Sequence, residues 1–458
     1  MNRPTRREIE QWLTQISGET RVHLVGMGGC GMSGLAHLLL DMGFAVTGSD
    51  LCENADLRQL QNRGAVFSLG HNAEKINENR PVLVVYSSAV RLDNSELARA
   101  NQLGIPIVRR AILLSALVNC KRMVCVAGMH GKTTTTAMLA HTLEQLGNDV
   151  GFAVGAKVPQ LGRHARMPSA ENSFFVLEAD ESDGTLREFH SEHSIVLNID
   201  EEHLDFYENF ESVCDEFIAF GKQTSGRLIY CADDPLLPEI YANNLNSISY
   251  GFNPAADYQA EIISSKEFIV RHHQQSIGQF RIGLFGEQNI SNAVAVVAFL
   301  HVNGFAPDNI SEALCKFKGV NRRQQELTCD HRYRIFDDYG HHPREIRATL
   351  SALNEQCSGR LLVAFQPHRY TRTKHLLGDF AQCFDGVDLL WITEVYAASE
   401  PPIDNINGQR LAEAISKSGQ PAAFAATLEI LRDKIRNVLR PGDTILFLGA
   451  GDITQVAH

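Results

Sequence analysis

Three α/β units in series are what this sequence of 458 residues predicts. Two glycine-rich turns, each between an apolar strand and an apolar-periodic helix, mark the first and second units. Strand–helix alternation restarts beyond Phe317-Lys-Gly-Val-Asn-Arg322-Arg323 and marks the third. The length asks for two to three domains on its own. The boundaries are placed at 1–118, 119–320 and 321–458.

Composition narrows the class before any motif is used. A net charge of −12 argues against a general nucleic-acid or membrane-surface binder. It leaves room for an anionic substrate, which needs only a local basic pocket. The ten cysteines include no Cys-x-x-Cys pair, and the charged start has no apolar stretch after it. Both point to a reducing cytoplasm, without a disulfide framework or a zinc site. No apolar run is long enough to span a bilayer.

In the first unit a strand over 21–25 runs into Gly26-Met-Gly28-Gly29-Cys-Gly31-Met32-Ser33-Gly34, and a helix follows over 33–42. This is Gly-x-Gly-x-x-Gly between strand and helix, where backbone N–H groups and the helix dipole face a diphosphate. A second strand, 44–48, leads to Asp50, about 20 residues on, where an acid meets a ribose in dinucleotide folds. The same glycines also serve plain helix–strand packing, and the motif does not separate a nicotinamide dinucleotide from another nucleotide. A strand over 81–86 leads to Ser87-Ser88, a helix covers 94–103 and a strand 105–108. The unit reads as a Rossmann-like N-terminal domain.

The second unit opens on Val124-Cys-Val-Ala-Gly128-Met-His130-Gly131-Lys132-Thr133-Thr134-Thr-Thr136. A strand ends at Ala127 and a helix starts at Lys132, continued by Met138, Leu139, Leu143 and Leu146. Gly-x-x-Gly-Lys-Thr in that setting is the core of a phosphate loop, although Val126 stands where the full Walker pattern has its first Gly. Lys132 is placed to reach terminal phosphates and the Thr133 hydroxyl to ligate Mg²⁺. A strand over 173–177 ends in Glu178-Ala-Asp180-Glu181-Ser-Asp183. The next strand, 194–197, leads to Asp200-Glu-Glu-His203-Leu-Asp205. Two acidic clusters after consecutive strands suit one or two metal ions beside a triphosphate; either alone is equally a solvated acidic loop. Asn289 opens a helix of small apolar residues, where it caps the helix or touches a base edge. The unit reads as a central P-loop ATPase-like domain.

The third unit carries a strand over 334–336, then Asp337-Asp-Tyr-Gly-His341-His342-Pro343 and a helix to about residue 353. Strands over 359–365, 388–394 and 444–448 follow, making a C-terminal Rossmann-like domain. His341, His342, His368, Arg369 and Arg372 are expected at one sheet edge, a basic surface suited to phosphate or carboxylate. A solvated basic loop would carry the same residues. Together, the three sites suit an enzyme that phosphorylates a carboxylate on a bulky phosphorylated substrate and couples it to a second small molecule.

At this point the sequence resembles the Mur ligase family, and within it the alanine-adding branch. The resemblance spans nearly the whole chain. It rests on residues 26–34, Gly131-Lys-Thr-Thr-Thr135, Glu178-Ala-Asp-Glu-Ser-Asp183, His203-Leu-Asp205, Asp337-Asp-Tyr-Gly-His-His-Pro343 and Phe365-Gln-Pro-His-Arg-Tyr-Thr-Arg372. It implies a cytoplasmic enzyme of peptidoglycan synthesis with ATP and Mg²⁺ as cofactors and UDP-N-acetylmuramate and L-alanine as substrates. Neither nucleic acid nor membrane is implied as a partner. Gly28, Gly29, Gly31, Met32, Ser33, Asp50, Ser87 and Ser88 would then bind the substrate through its UDP part, with His341 a substrate-binding residue of the third domain. Gly128, His130, Gly131, Lys132, Thr133, Thr134 and Asn289 would bind ATP, with Asn289 near the adenine. Thr133 and Glu178 would hold one Mg²⁺ and His203 a second. Lys132, Glu178, His203, His342, Arg369 and Arg372 would carry catalysis, the third domain closing over the site.

The chain departs from the family pattern in places. Met129 replaces Thr in the phosphate loop, Gln288 replaces His before Asn289, Gln324 replaces Phe after Arg322-Arg323, and Glu202 replaces Asp before His203. Ile218 lies near the place where several sister ligases carry a carbamoylated Lys. A sister ligase that recycles a preformed tripeptide, and a catalytically silent nucleotide-binding paralogue, share most of these motifs. Nothing physical in the sequence selects L-alanine over glycine or L-serine, since one methyl group is worth only about 1–3 kcal/mol in a pocket.

Overall fold

Alternating strands and helices build three separate sheets in this computed structural model, which describes residues 4–13, 20–119, 121–182, 184–201, 206–327 and 332–458. The first sheet has five parallel strands in the order Val66–Leu69, Ala45–Asp50, Arg21–Val25, Leu83–Tyr86, Ile107–Arg109. Strand order reverses on either side of Arg21–Val25. The turn after that strand and the loop after Leu83–Tyr86 therefore open a crevice at the carboxyl ends of the strands, where such sheets bind ligands. Val22, Leu24 and Val25 are fully buried, as a central parallel strand requires.

The second sheet has ten strands, and Arg122–Ala127 lies within it between Phe174–Glu178 and His193–Val196, parallel to both. Its strand order also reverses there, so the loops after residues 127, 178 and 196 gather at one edge. The helix Lys132–Gln145 packs with its residues from Thr133 to Leu143 all buried. Four consecutive threonines tolerate that position because the helix is covered all round.

The third sheet runs Gln325–Glu326, Arg334–Asp338, Thr444–Leu448, Leu361–Phe365, Leu389–Thr393, Ala422–Ala425, parallel except for its first strand. Period-two alternation splits its core. Leu361, Val363 and Phe365 pack on one face and Leu362 and Ala364 on the other. The last parallel strand inserts between the first two, and this brings the loops after residues 338, 365 and 448 together.

By internal contacts the chain divides into two units: residues 1–261, 269–279 and 292–317, and residues 262–268, 280–291 and 318–458. The first two sheets' glycine turns thus share one unit. Among the described residues no helix is long and apolar enough to cross a membrane. Most expected elements form within two or three residues of their sequence placement. The helix Cys30–Asp41 departs furthest, starting at Cys30 rather than Ser33, so Gly29 is its N-cap.

Candidate active site

The first glycine turn is tied down by Asp50. Its Oδ2 accepts from the Gly28 N–H at 2.7 Å and its Oδ1 from the Leu51 N–H at 2.7 Å, while Asn54 Nδ2 donates to Gly28 O at 2.8 Å. Beside the ribose role expected for it, Asp50 thus organises the turn. Met32 and Ser33 have buried side chains and present only backbone to the turn. Ser33 Oγ lies 3.1 Å from His164 Nε2 and donates to Cys30 O. What the turn offers a diphosphate is therefore backbone: the N–H groups of the first helical turn, which have no intrahelical acceptor. Ser87 follows the strand Leu83–Tyr86 with Ser88 exposed beside it, and an ideal Cβ on Gly26 would sit 3.3 Å from Ser87 Cβ.

Sequence reasoning passed over Arg110. Its guanidinium lies against Gly31, where an added Cβ would come 3.0 Å from both Cζ and Nε. Among the described residues it makes no hydrogen bond or ion pair. Its place just past the strand Ile107–Arg109, at the ligand-binding end of a parallel sheet, is the signal that pointed to it.

The second loop turns through Gly128 and Gly131, the latter at φ 86° with an ideal Cβ only 2.7 Å from Asn292 Oδ1. A side chain there is opposed by both conformation and space. Asn198, also missed, braces the loop: its Oδ1 accepts from the His130 N–H at 2.8 Å and its Nδ2 donates to His130 O at 3.0 Å. His130 Nε2 lies 3.2 Å from Asp200 Oδ2. Lys132 Nζ donates to Gly128 O at 2.6 Å, Met129 O at 3.2 Å and Glu181 Oε1 at 2.7 Å. Burial alone would lower its pKa, but Glu181, Asp180 and Glu178 outweigh burial and hold it above the usual lysine value. Burial likewise pushes Asp180 up, and Lys132 with the Ser182 N–H and Arg110 brings it below the usual carboxylate range.

Thr133 Oγ1 donates to Glu178 Oε1 at 2.8 Å, and Glu178 Oε2 accepts from the Gly155 N–H at 2.5 Å. An ideal Cβ on Gly155 would lie 2.7 Å from Glu178 Oε1, so only Gly leaves room beside the carboxylate. Two hard oxygen donors at the end of a phosphate loop fit Mg²⁺. Thr134 is buried under the loop. Asp183 of the first acidic cluster and Glu202, His203 and Asp205 of the second lie outside the described residues, and with them the metal role expected for His203; Asp200 is the second cluster's acid placed beside the loop.

In the other unit His342 is the N-cap of the helix Pro343–Asn354, closing a capping box with Glu345. That helix-starting role was not expected for His342. His341 Nδ1 bonds Tyr339 O at 3.0 Å and its ring lies 5.6 Å from that of His368. His368 stacks on Tyr396 and its Nδ1 lies 3.2 Å from Arg372 Nη1. Arg369 caps the next helix at φ 69° and pairs loosely with Glu400 at 3.9 Å. Burial lowers His341 to about 3 and His368 to about 4, with Arg372 adding to both. The edge is therefore basic at neutral pH through its arginines, not its histidines.

These shifts set a pH dependence. Above the ordinary histidine value of 6.5 the rings are neutral in folded and unfolded chains alike. Below it the unfolded chain takes up protons that the folded chain refuses, so stability falls as pH drops from 6.5 toward 4. Asp338 opposes this, because burial raises it from 3.8 to about 6 and its contribution is greatest at low pH. Other histidines that burial lowers, His37, His141, His164 and His193 among them, act in the same direction as His341 and His368, so the net is a loss. The urea midpoint is expected to be lower at pH 5 than at pH 7.5, and an unchanged or higher midpoint would count against the buried neutral rings.

Asn289 does not cap its helix. Its Nδ2 donates to Phe285 O and to Gln324 Oε1, both at 2.9 Å.

Comparisons with known proteins match the chain over nearly its whole length. Residues 21–122 match the family described as Mur ligase family, catalytic domain; residues 126–300 match the Mur ligase middle domain, and residues 322–451 the Mur ligase glutamate ligase domain. A UDP-N-acetylmuramate–L-alanine ligase of Anaeromyxobacter sp. (strain Fw109-5) is 41% identical over 448 residues, covering 96% of each chain. The crystal structure of a UDP-N-acetylmuramate–alanine ligase from Thermotoga maritima superposes with a TM-score of 0.83 at 28% identity, covering 96% of this chain and 97% of that one. A murein peptide ligase from Psychrobacter arcticus shares the fold at a TM-score of 0.71 and 22% identity, over 95% and 97% of the two chains.

Proposed function

The chain belongs to the Mur ligase family, and from that premise we propose that it joins L-alanine to the lactyl carboxylate of UDP-N-acetylmuramate at the expense of ATP. The observation that carries this reading is full-length likeness, at 41% identity, to a ligase named for those two substrates. In this reading residues 1–118 hold the sugar nucleotide, 119–320 hold MgATP and 321–458 complete the reaction in the cytoplasm.

The chemistry follows from the charges. A lactyl carboxylate oxygen attacks the γ-phosphorus of ATP, giving an acyl phosphate and ADP. The alanine amine then attacks the acyl carbon, phosphate leaves and an amide remains. Both partners in the first step are anionic, so the site's task is to neutralise and align. Lys132, kept protonated by its carboxylate neighbours, supplies positive charge where the phosphoryl group moves. Thr133 and Glu178 would hold Mg²⁺, which screens phosphate charge when bound. Loop N–H groups fixed by Asn198 cradle the phosphates, and Arg369 and Arg372 serve anion recognition in the third domain.

Arg110 and the helix N-terminus at Gly29–Gly31 bind the diphosphate of the sugar nucleotide. Arg110→Ala is expected to raise KM for UDP-N-acetylmuramate about tenfold with the KM for ATP little changed; steady-state kinetics with each substrate varied in turn checks this, and an unchanged sugar KM removes the role.

The reaction is tested by phosphate release from MgATP with UDP-N-acetylmuramate and, in turn, L-alanine, glycine, L-serine and the murein tripeptide. Release that requires both the sugar and L-alanine supports the proposal. Release with the tripeptide alone would move the chain to the recycling activity, and none with any amine would mean a silent binder.

A further inference from the structure

We propose that His164 is a positioning residue for phosphoryl transfer: it docks the first turn of the helix Cys30–Asp41, and with it the sugar nucleotide, at a fixed distance from the phosphate loop. This role rests on the reading above that the first glycine turn holds UDP-N-acetylmuramate and the second loop holds ATP. Both turns lie in the same unit of the chain.

His164 stands on a hairpin of the second sheet. The strands Gly151–Ala153 and Ala165–Arg166 pair antiparallel, and the Val154 N–H donates to His164 O at 2.8 Å. The first of them pairs in parallel with Phe174–Glu178, which pairs in turn with Arg122–Ala127, the strand that ends at the phosphate loop. Ladder hydrogen bonds thus hold the hairpin in register with that loop. The same hairpin grips the helix that starts at the first glycine turn. His164 Nε2 lies 3.1 Å from Cys30 O, in the first helical turn, and 3.1 Å from Ser33 Oγ. Cys30 Sγ donates to Gly155 O at 3.0 Å. At the far end of the helix, Asp41 Oδ1 accepts from Arg163 Nη1 at 3.0 Å and its Oδ2 from the Met167 N–H at 2.9 Å. One hairpin therefore holds both ends of the helix.

Stability alone does not ask for histidine here. The ring is 1% exposed and burial lowers its pKa, so it is neutral and carries one N–H. Cys30 O only accepts, which places that hydrogen on Nε2. Nδ1 is then a bare acceptor, and among the described residues it has no hydrogen-bond partner. A leucine would fill the space without stranding a polar atom. What leucine lacks is the bond to Cys30 O. Close approach is built in as well, because a Cβ added to Gly34, the last glycine of the motif over 26–34, would lie 3.3 Å from His164 Cδ2 and 3.5 Å from Ala165 Cβ. The consequence is geometric. The lactyl carboxylate must meet the γ-phosphorus in line, and a misplacement of about 1 Å caused far from the chemistry costs about 10²-fold in rate. Buried as it is, the His164 side chain touches neither substrate, so its loss is felt in turnover and not in binding.

The test measures single-turnover phosphate release, KM for ATP, calorimetric binding of the sugar nucleotide and the thermal midpoint. The proteins are the native chain, His164→Leu, His164→Gln, Arg163→Met and Arg63→Met. Leucine keeps the apolar bulk and removes the donor; glutamine puts an N–H donor where Nε2 stands. His164→Leu is expected to lower the single-turnover rate at least about tenfold, with KM for ATP and Kd for the sugar nucleotide within about twofold of native. His164→Gln is expected to restore the rate to within about threefold of native, a rescue that mere bulk would not give. Arg163→Met frees only the far end of the helix and is expected to lower the rate about threefold. Arg63→Met is the control. Its guanidinium donates to the same Asp41 oxygen at 2.5 Å, but from the C-cap of the helix Ala55–Asn62, within the first sheet's own layer. It is expected to lower the thermal midpoint and to leave the rate within about twofold of native. A native rate in folded His164→Leu overturns the proposal, as does a His164→Gln rate as low as that of leucine. A sugar affinity that falls in step with the rate also overturns it, by placing His164 in binding. If His164→Leu does not fold, Arg163→Met decides, and a native rate there overturns the proposal. A native chain that releases no phosphate with the sugar and an amine would instead overturn the underlying reading, a separate failure.

Discussion

Lys132→Ala is expected to lower turnover of MgATP by at least about 10³-fold while binding of UDP-N-acetylmuramate persists. The ammonium has three donors and all three are engaged: by Gly128 O, Met129 O and Glu181 Oε1. It therefore fixes the shape of the loop as well as its charge, and alanine removes both. Phosphate oxygens compete for the same donors, exchanging loop carbonyls for a charged acceptor, which is the stronger bond. Lys132→Arg is expected to fail nearly as badly. A planar guanidinium cannot place donors along the three directions that a compact ammonium serves. Sugar binding survives because the Gly28 turn belongs to a different sheet and is braced by Asp50 and Asn54. Phosphate release gives the rate, titration calorimetry with the sugar nucleotide gives the binding, and thermal melting shows that the variant is folded. Turnover within tenfold of the native enzyme would remove Lys132 from the phosphoryl-transfer step.

Legibility in the sequence followed the range of the interactions involved. The strand Arg21–Val25 and the strand Thr444–Leu448 formed where apolar runs placed them, because a central parallel strand is buried on both faces and leaves an unbroken signal. Glycines announced both turns, since left-handed backbone and close approach are local needs. Partners distant in sequence left no such mark. Asp50 stands where a ribose contact is expected, yet it spends its oxygens on the Gly28 and Leu51 N–H groups, a use set by how the strands Arg21–Val25 and Ala45–Asp50 pair. Arg110 carries no motif, and only the sheet order brings its guanidinium to Gly31. The histidines of the third domain counted as positive charge in the sequence, but burial keeps His341 and His368 neutral. Gln324 stood out only as a departure from a pattern, and its bond to Asn289, 35 residues away in sequence, left no mark there.

Replacing Glu178 by Gln is expected to raise the Mg²⁺ concentration for half-maximal velocity at least about tenfold and to lower kcat about 10²-fold. The native carboxylate accepts on both oxygens, from the Thr133 hydroxyl at 2.8 Å and from the Gly155 N–H at 2.5 Å. Gln has one acceptor to divide between them. The Gly155 N–H is an obligate donor, so the amide oxygen must turn toward it and the NH₂ must turn toward Thr133. That orientation puts two hydrogens on the side meant for a cation and draws a Thr133 lone pair into an internal bond. One substitution thereby removes a negative charge and spoils both oxygen ligands, whereas Thr133→Val should remove a single neutral ligand and cost less. Space offers no escape, because Gly155 already lies as close as a residue without Cβ permits. The measurement is initial rate against Mg²⁺ at saturating ATP for the native enzyme and both variants. A reduced rate with an unshifted Mg²⁺ dependence in Glu178→Gln would place Glu178 in loop support, and the cation would then need other ligands.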